Sequence, residues 1–112
     1  MRKPITTGGS KNDLQDLRGA IADYTKTIEL APDDANTYYA RGIAKGKLQD
    51  HRGAIADYTK TIELAPDDAI AYHNRGLVKI TLNQKDGGCF DLSKAGELGL
   101  GKAYDMIRKY CN

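Results

Sequence analysis

The sequence has no tryptophan, one phenylalanine, two cysteines, two histidines and three prolines. No apolar run approaches the roughly 20 residues needed to cross a bilayer, so no membrane span is expected. Net charge of one sign is also scarce. The basic residues number 17 and the acids 15, which leaves a formal charge of +2 with the two signs interleaved. That leaves no basic footprint for nucleic acid. Cys89 and Cys111 are too far apart for a zinc pair of the CxxC type, and His51 and His73 are not beside them, so no metal site is expected. There is no GxxxxGK[ST] phosphate loop and no cysteine with an evident His–Asp arrangement, so neither catalysis nor a bound cofactor is expected. Met1–Ser10 lacks the apolar core of a signal peptide.

What is present is a repeat. Ala20–Ala35 reads AIADYTKTIELAPDDA, and Ala54–Ala69 repeats it letter for letter 34 residues later. The longer stretches Leu14–Ala35 and Leu48–Ala69 differ at one position in 22, Leu17 against His51. A fixed period of this size signals stacked supersecondary units. Such near-identity also fits a recently duplicated or designed chain. With 112 residues, 40% hydrophobic and 29% charged, the chain has the length of one domain and the composition of a soluble helical protein.

Residues 1–9 read as a flexible arm, because Pro4, Thr6, Thr7 and Gly8-Gly9 all oppose helix. Ser10 is a candidate N-cap, with Asp13 in the first turn. Leu14, Leu17, Ile21, Tyr24, Ile28 and Ala31 then recur at spacings of three and four, one apolar helix face. Gly19 weakens this helix and Pro32 stops it. The spacing predicts further helices over Ala35–Leu48, capped by Asp33 or Asp34, over His51–Leu64, and over Ala69–Leu82, capped by Asp67 or Asp68. It predicts a fifth over Asp86–Leu98, weakened by the breakers Gly87-Gly88, and a last over Lys102–Tyr110 with Ala103, Met106, Ile107 and Tyr110 on one side. No segment alternates like a strand. The expected fold is all-α, a short solenoid of antiparallel helix pairs.

Spacing and residue type together resemble the tetratricopeptide repeat family, whose pattern is W-x2-L-G-x2-Y, then A, three residues, F, and finally P. In residues 35–68, Tyr38 stands for the Trp and Arg41 for the Leu; Gly42, Ala54, Tyr58 and Pro66 keep their places, and Lys45 replaces the Tyr. In residues 69–102, Tyr72, Arg75 and Gly76 return, but Gly88 replaces the Ala, Leu92 the aromatic and Leu100 the Pro. Residues 10–34 supply only the second helix of a unit, and residues 103–112 form a closing helix. The chain thus resembles about two and a half repeats of that family.

The resemblance implies a concave groove, lined by the first helix of each pair, that binds a peptide or helix without chemistry. Its expected contacts are Asn36, Tyr39, Ala40, Ile43 and Lys47, then Ile70, His73, Asn74, Leu77 and Thr81. Asn74 and Arg108 fall where some members of the family clamp a terminal carboxylate. Tyr39 and Ile43 replace a lysine and an asparagine of that clamp, and Tyr104 replaces another lysine. An apolar peptide or helix suits such a groove better. A second reading is self-association: a first helix without its partner uncovers Leu14, Leu17, Ile21, Tyr24 and Ile28, which a second copy would cover as a homo-oligomer or by domain swapping. Arg41 and Arg75, with Asp23, Asp57 and Asp91 recurring once per repeat, read as pairs tying neighbouring helices. Folding the chain near Gly99–Gly101 brings Cys89 opposite residue 110 or 111. The two either form a disulfide, which closes a loop worth roughly 3 kcal/mol and implies a periplasmic or secreted protein, or remain thiols, as in the cytoplasm.

Overall fold

The computed structural model describes residues 14–112. Within them lie α1 (Leu14–Leu30), α2 (Ala35–Lys47), α3 (His51–Leu64), α4 (Ala69–Thr81), α5 (Lys85–Glu97) and α6 (Lys102–Tyr110), with no strand among the described residues. The expected arm at 1–9, the Ser10 cap and Asp13 lie outside them. Each helix lies mainly against the next in sequence, so α2–α3 and α4–α5 form the pairs of an α-solenoid.

Capping chemistry fixes the starts. Asp34 accepts from the Asn36 amide at 3.0 Å and from the Thr37 hydroxyl at 3.0 Å. Asp68 accepts from the Ala71 amide at 3.1 Å, and Asp50 from the Gly53 amide at 3.0 Å. These bonds satisfy amides that the first turn leaves open. The second aspartate of each Pro-Asp-Asp run is therefore the cap. The helix ends share another device. The Asp50, Gln84 and Leu100 amides reach back to the carbonyls of Lys45, Lys79 and Ala95 at 2.9, 2.8 and 3.0 Å, across Gln49, Asn83 and Gly99 at φ of 67°, 65° and 107°. This is the six-to-one closure of a Schellman turn. It ends α2, α4 and α5 one residue before the expected Leu48, Leu82 and Leu98.

Two glycine contacts set how closely the pairs approach. A Cβ on Gly42 would stand 2.8 Å from Tyr58 Cε1, and one on Gly76 would stand 2.8 Å from the Gly88 carbonyl oxygen. Gly88 is thus a contact residue inside α5. The expectation that Gly87-Gly88 act as breakers is corrected: the helix runs through them from Lys85, held by the close approach of α4. Leu92, Ala95 and Ala103 form a fully buried cluster, with Tyr72, Leu77, Ile80, Met106 and Ile107 packed around it. Tyr110, expected on the same side of α6 as Met106 and Ile107, is 38% exposed, near the end of the helix.

Candidate functional site

The repeat builds one polar motif twice. In α2, the Arg41 Nε and Nη2 donate to the two carboxylate oxygens of Asp57 in α3, both at 2.8 Å. The Arg41 Nη1 donates to the Thr25 hydroxyl of α1 at 3.1 Å. Lys45 approaches the same carboxylate at 3.3 Å. In α4, Arg75 repeats each contact with Asp91 of α5 at 2.8 Å and with Thr59 of α3 at 3.1 Å, and Lys79 lies 3.0 Å from Asp91. Each guanidinium also lies over the tyrosine three residues before it, Arg41 over Tyr38 at 5.8 Å and Arg75 over Tyr72 at 5.5 Å. Asp57 and Asp91 are buried, at 3% and 0% exposure. Hydrogen bonding to the carboxylate is the main reason both arginine pKa values rise above their ordinary value, against the opposing effect of burial. These fork-shaped pairs are structural ties, since all the charge is engaged.

Two clefts are related by the repeat. The larger, about 340 Å³, is lined by Ile43, Gly46 and Lys47 of α2, His51 and Tyr58 of α3, and Asn74, Leu77, Val78 and Thr81 of α4. The smaller, about 290 Å³, is lined by Asp16, Leu17, Ala20 and Tyr24 of α1 and by Ala40, Ile43, Ala44 and Lys47 of α2. Subtracting one period from His51, Tyr58, Asn74, Leu77, Val78 and Thr81 gives Leu17, Tyr24, Ala40, Ile43, Ala44 and Lys47. The single substitution between the two copies therefore lies in the wall of these clefts. Burial pushes the Tyr58 phenol up to about 12, so it stays protonated against the apolar wall.

Of the residues expected in the groove, the larger cleft gathers Ile43, Lys47, Asn74, Leu77 and Thr81. Tyr39 joins them indirectly. Its hydroxyl accepts from Asn74 Nδ2 at 3.1 Å, and its ring lies 5.9 Å from that of Tyr58. Asn36 and Ile70 are exposed away from the cleft lining. His73 is buried at 7% exposure, with its pKa lowered chiefly by that burial. Arg108 is exposed on α6 and paired with Asp105. Sequence reasoning did not place His51, Tyr58, Gly46 or Val78 in this wall. The difference between Leu17 and His51 was the available signal.

On α1, Leu17 is buried, Ile21, Tyr24 and Ile28 are half-buried, and Leu14 is exposed. Leu30, beyond the expected set, is 80% exposed. At the other end, Cys89 of α5 and Cys111 just past α6 form a disulfide with Cα atoms 5.9 Å apart. Among the described residues, no three His, Cys, Asp or Glu side chains converge as a metal site would need, and no helix is long and apolar enough to cross a membrane.

Residues 35–68 match the sequence model of the family described as Tetratricopeptide repeat. Among curated proteins, none matches the sequence. Solved structures do. The first TPR of Spaghetti (RPAP3), bound to HSP90 peptide SRMEEVD, is similar with a TM-score of 0.82 at 23% identity, over 93% of this chain and 84% of that one. The TPR2B domain of yeast Sti1, in a pHsp70 complex, gives 0.75 at 29% identity, over 92% and 86%. MamA from Desulfovibrio magneticus RS-1 gives 0.72 at 20% identity over 81% of this chain, which spans 51% of that MamA chain. Residues 35–68 thus match one tetratricopeptide repeat, and helices continue on both sides of it in a fold similar to that of solved TPR domains.

Proposed function

We propose that this chain is a protein-interaction module that docks a peptide or a short helix in the cleft between α2, α3 and α4. The observation that carries this reading is the cleft itself. It is open, holds about 340 Å³, and combines apolar walls from Ile43, Tyr58, Leu77 and Val78 with Lys47 and Asn74 as polar groups. A few fixed polar groups in an apolar concavity give orientation as well as area. Similar structures support peptide as the ligand class, since the RPAP3 domain holds an HSP90 peptide and the Sti1 domain is in a pHsp70 complex. A carboxylate clamp is not favoured here. Asn74 is engaged with Tyr39, and Arg108 with Asp105. Lys47, exposed at the rim, suits one acid on an otherwise apolar ligand. The Cys89–Cys111 disulfide supports an oxidising compartment, periplasmic or extracellular.

The test is selection of peptides from a display library, followed by titration against wild type and a Lys47→Glu/Leu77→Ala variant. Selected peptides should lose at least about tenfold in affinity on the variant, the loss of roughly one charged contact. Equal binding to both proteins would remove the cleft from the function.

A further inference from the structure

The side of α3 that receives α2 consists of Ala54, Asp57, Tyr58 and Thr61. Each meets a definite feature of its partner. Ala54 lies against Gly46, Asp57 takes Arg41 and Lys45, Tyr58 fills the space over Gly42, and the Thr61 hydroxyl faces the Ala35 carbonyl at 3.5 Å. α1 carries the same four residues at the same spacing: Ala20, Asp23, Tyr24 and Thr27. There, Asp23 and Thr27 are exposed and Ala20 and Tyr24 only half-buried. Among the described residues, α2 is the helix packed on α1: Arg41 reaches Thr25, and Leu17, Ala20 and Tyr24 line a cleft with α2, whereas Asp23 and Thr27 stay exposed.

We propose that this side of α1 is an acceptor for one helix of a partner protein that bears Arg-Gly with a lysine four residues after the arginine, R-G-x-x-K. α2 presents that pattern as Arg41, Gly42 and Lys45, and α4 as Arg75, Gly76 and Lys79. The arginine takes both oxygens of Asp23, because a helix laid over that carboxylate without a cation would bury an unpaired charge. The glycine lets the incoming backbone settle on Tyr24, where a Cβ would stand about as close as the 2.8 Å measured over Tyr58. The lysine adds the second cation seen at Asp57.

The helices of a second copy carry no free copy of the full pattern: its α1 and α3 have Arg18-Gly19 and Arg52-Gly53, but Ala22 and Ala56 stand where the lysine would be. Its α2 and α4 already hold Asp57 and Asp91. Its α6 offers Lys109 and Tyr110 one period after Arg75 and Gly76, so a large side chain stands where none is tolerated. The acceptor is also distinct from the cleft between α2, α3 and α4, and does not depend on it.

A fluorescently labelled, helix-stapled peptide of residues 35–48 is the probe, titrated by anisotropy against the whole chain. Saturable binding is expected, with a loss of at least about tenfold when Asp23→Asn removes the charge or Arg41→Ala is made in the peptide. Leu77→Ala in the protein should leave the affinity unchanged. Absence of saturation up to about 1 mM, indifference to Asp23→Asn, or sensitivity to Leu77→Ala would each overturn the proposal. So would a dimer in sedimentation that Asp23→Asn dissociates, since the occupant would then be a second copy.

Discussion

Leu14-Gln15-Asp16 and Leu48-Gln49-Asp50 are the same three residues in two copies of one sequence. In the second copy they turn the chain: Gln49 adopts φ 67° and Asp50 caps α3. In the first they are helical, so α1 has 17 residues where α3 has 14. The turn needs the carbonyls of Lys45 and Gly46 at the end of α2 as acceptors. Where no described helix precedes, the same residues extend the helix that follows. The difference continues along both helices. Asp57, Tyr58 and Thr61 are buried, whereas Asp23 and Thr27 are exposed and Tyr24 is half-buried. Identical side chains acquire different energetic weight from their neighbours alone, because burial and partnership belong to the contact and not to the residue.

The sharpest break of this comparison is the carboxylate. Asp57→Ala leaves Arg41 and Lys45 without their partner in a mostly buried site and should cost about 3–5 kcal/mol, whereas Asp23→Ala should stay within about 0.5 kcal/mol. Urea denaturation of the two variants measures both. The opposite end of the solenoid supplies the next contrast, because α6 covers α5 and the Cys89–Cys111 bond tethers it there. Reduction, or Cys89→Ser with Cys111→Ser, should cost about 3 kcal/mol through the freed unfolded chain, measured as a shift in denaturation midpoint. A smaller contrast separates two helical glycines. Gly42→Ala meets Tyr58 and should cost about 1–3 kcal/mol, whereas Gly19→Ala, with open space around it, should gain about 0.5–1 kcal/mol.

The smallest effect compares the two full repeats. His73 occupies the place of Tyr39 one period on, and burial holds its pKa below the ordinary 6.5. The unfolded chain therefore binds the proton first. Stability should be level above pH 6.5 and decline as pH falls below it toward the folded value. His73→Gln should flatten that decline in denaturation series run between neutral and mildly acidic pH.

Much of this architecture is readable in the sequence because the period announces it. Helix order, the proline stops and the pairing of Arg41 with Asp57 all follow from residue type at a fixed spacing. The participation of Lys45 and Thr25 does not. Lys45 reads only as a departure from a tyrosine pattern, and Thr25 belongs to the unit before. A one-dimensional pattern names the face a residue occupies, and the crossing of helices decides what lies over that face. His73 shows the same limit. It shares its register with the groove residue Tyr39, yet it is buried beside the start of α6, where Lys102 also disfavours its charge. In the cleft, the α2 and α4 contributors Ile43, Lys47, Asn74 and Leu77 follow from register. His51 and Tyr58 enter from α3 because that helix crosses beneath them, a geometry that register alone does not carry.

The two arginines have a consequence for how the array comes apart. A solenoid touches only nearest neighbours, and each boundary between units is a plane along which it can peel. Arg41 spans one such plane while it ties its own pair, with a hydroxyl of α1 across the boundary and a carboxylate of α3 inside the unit, and Arg75 does the same with Thr59 and Asp91. Opening a boundary therefore costs a hydrogen bond that orients the guanidinium holding the next pair together. A single side chain per unit thus converts a stack of separable layers into a body that melts together.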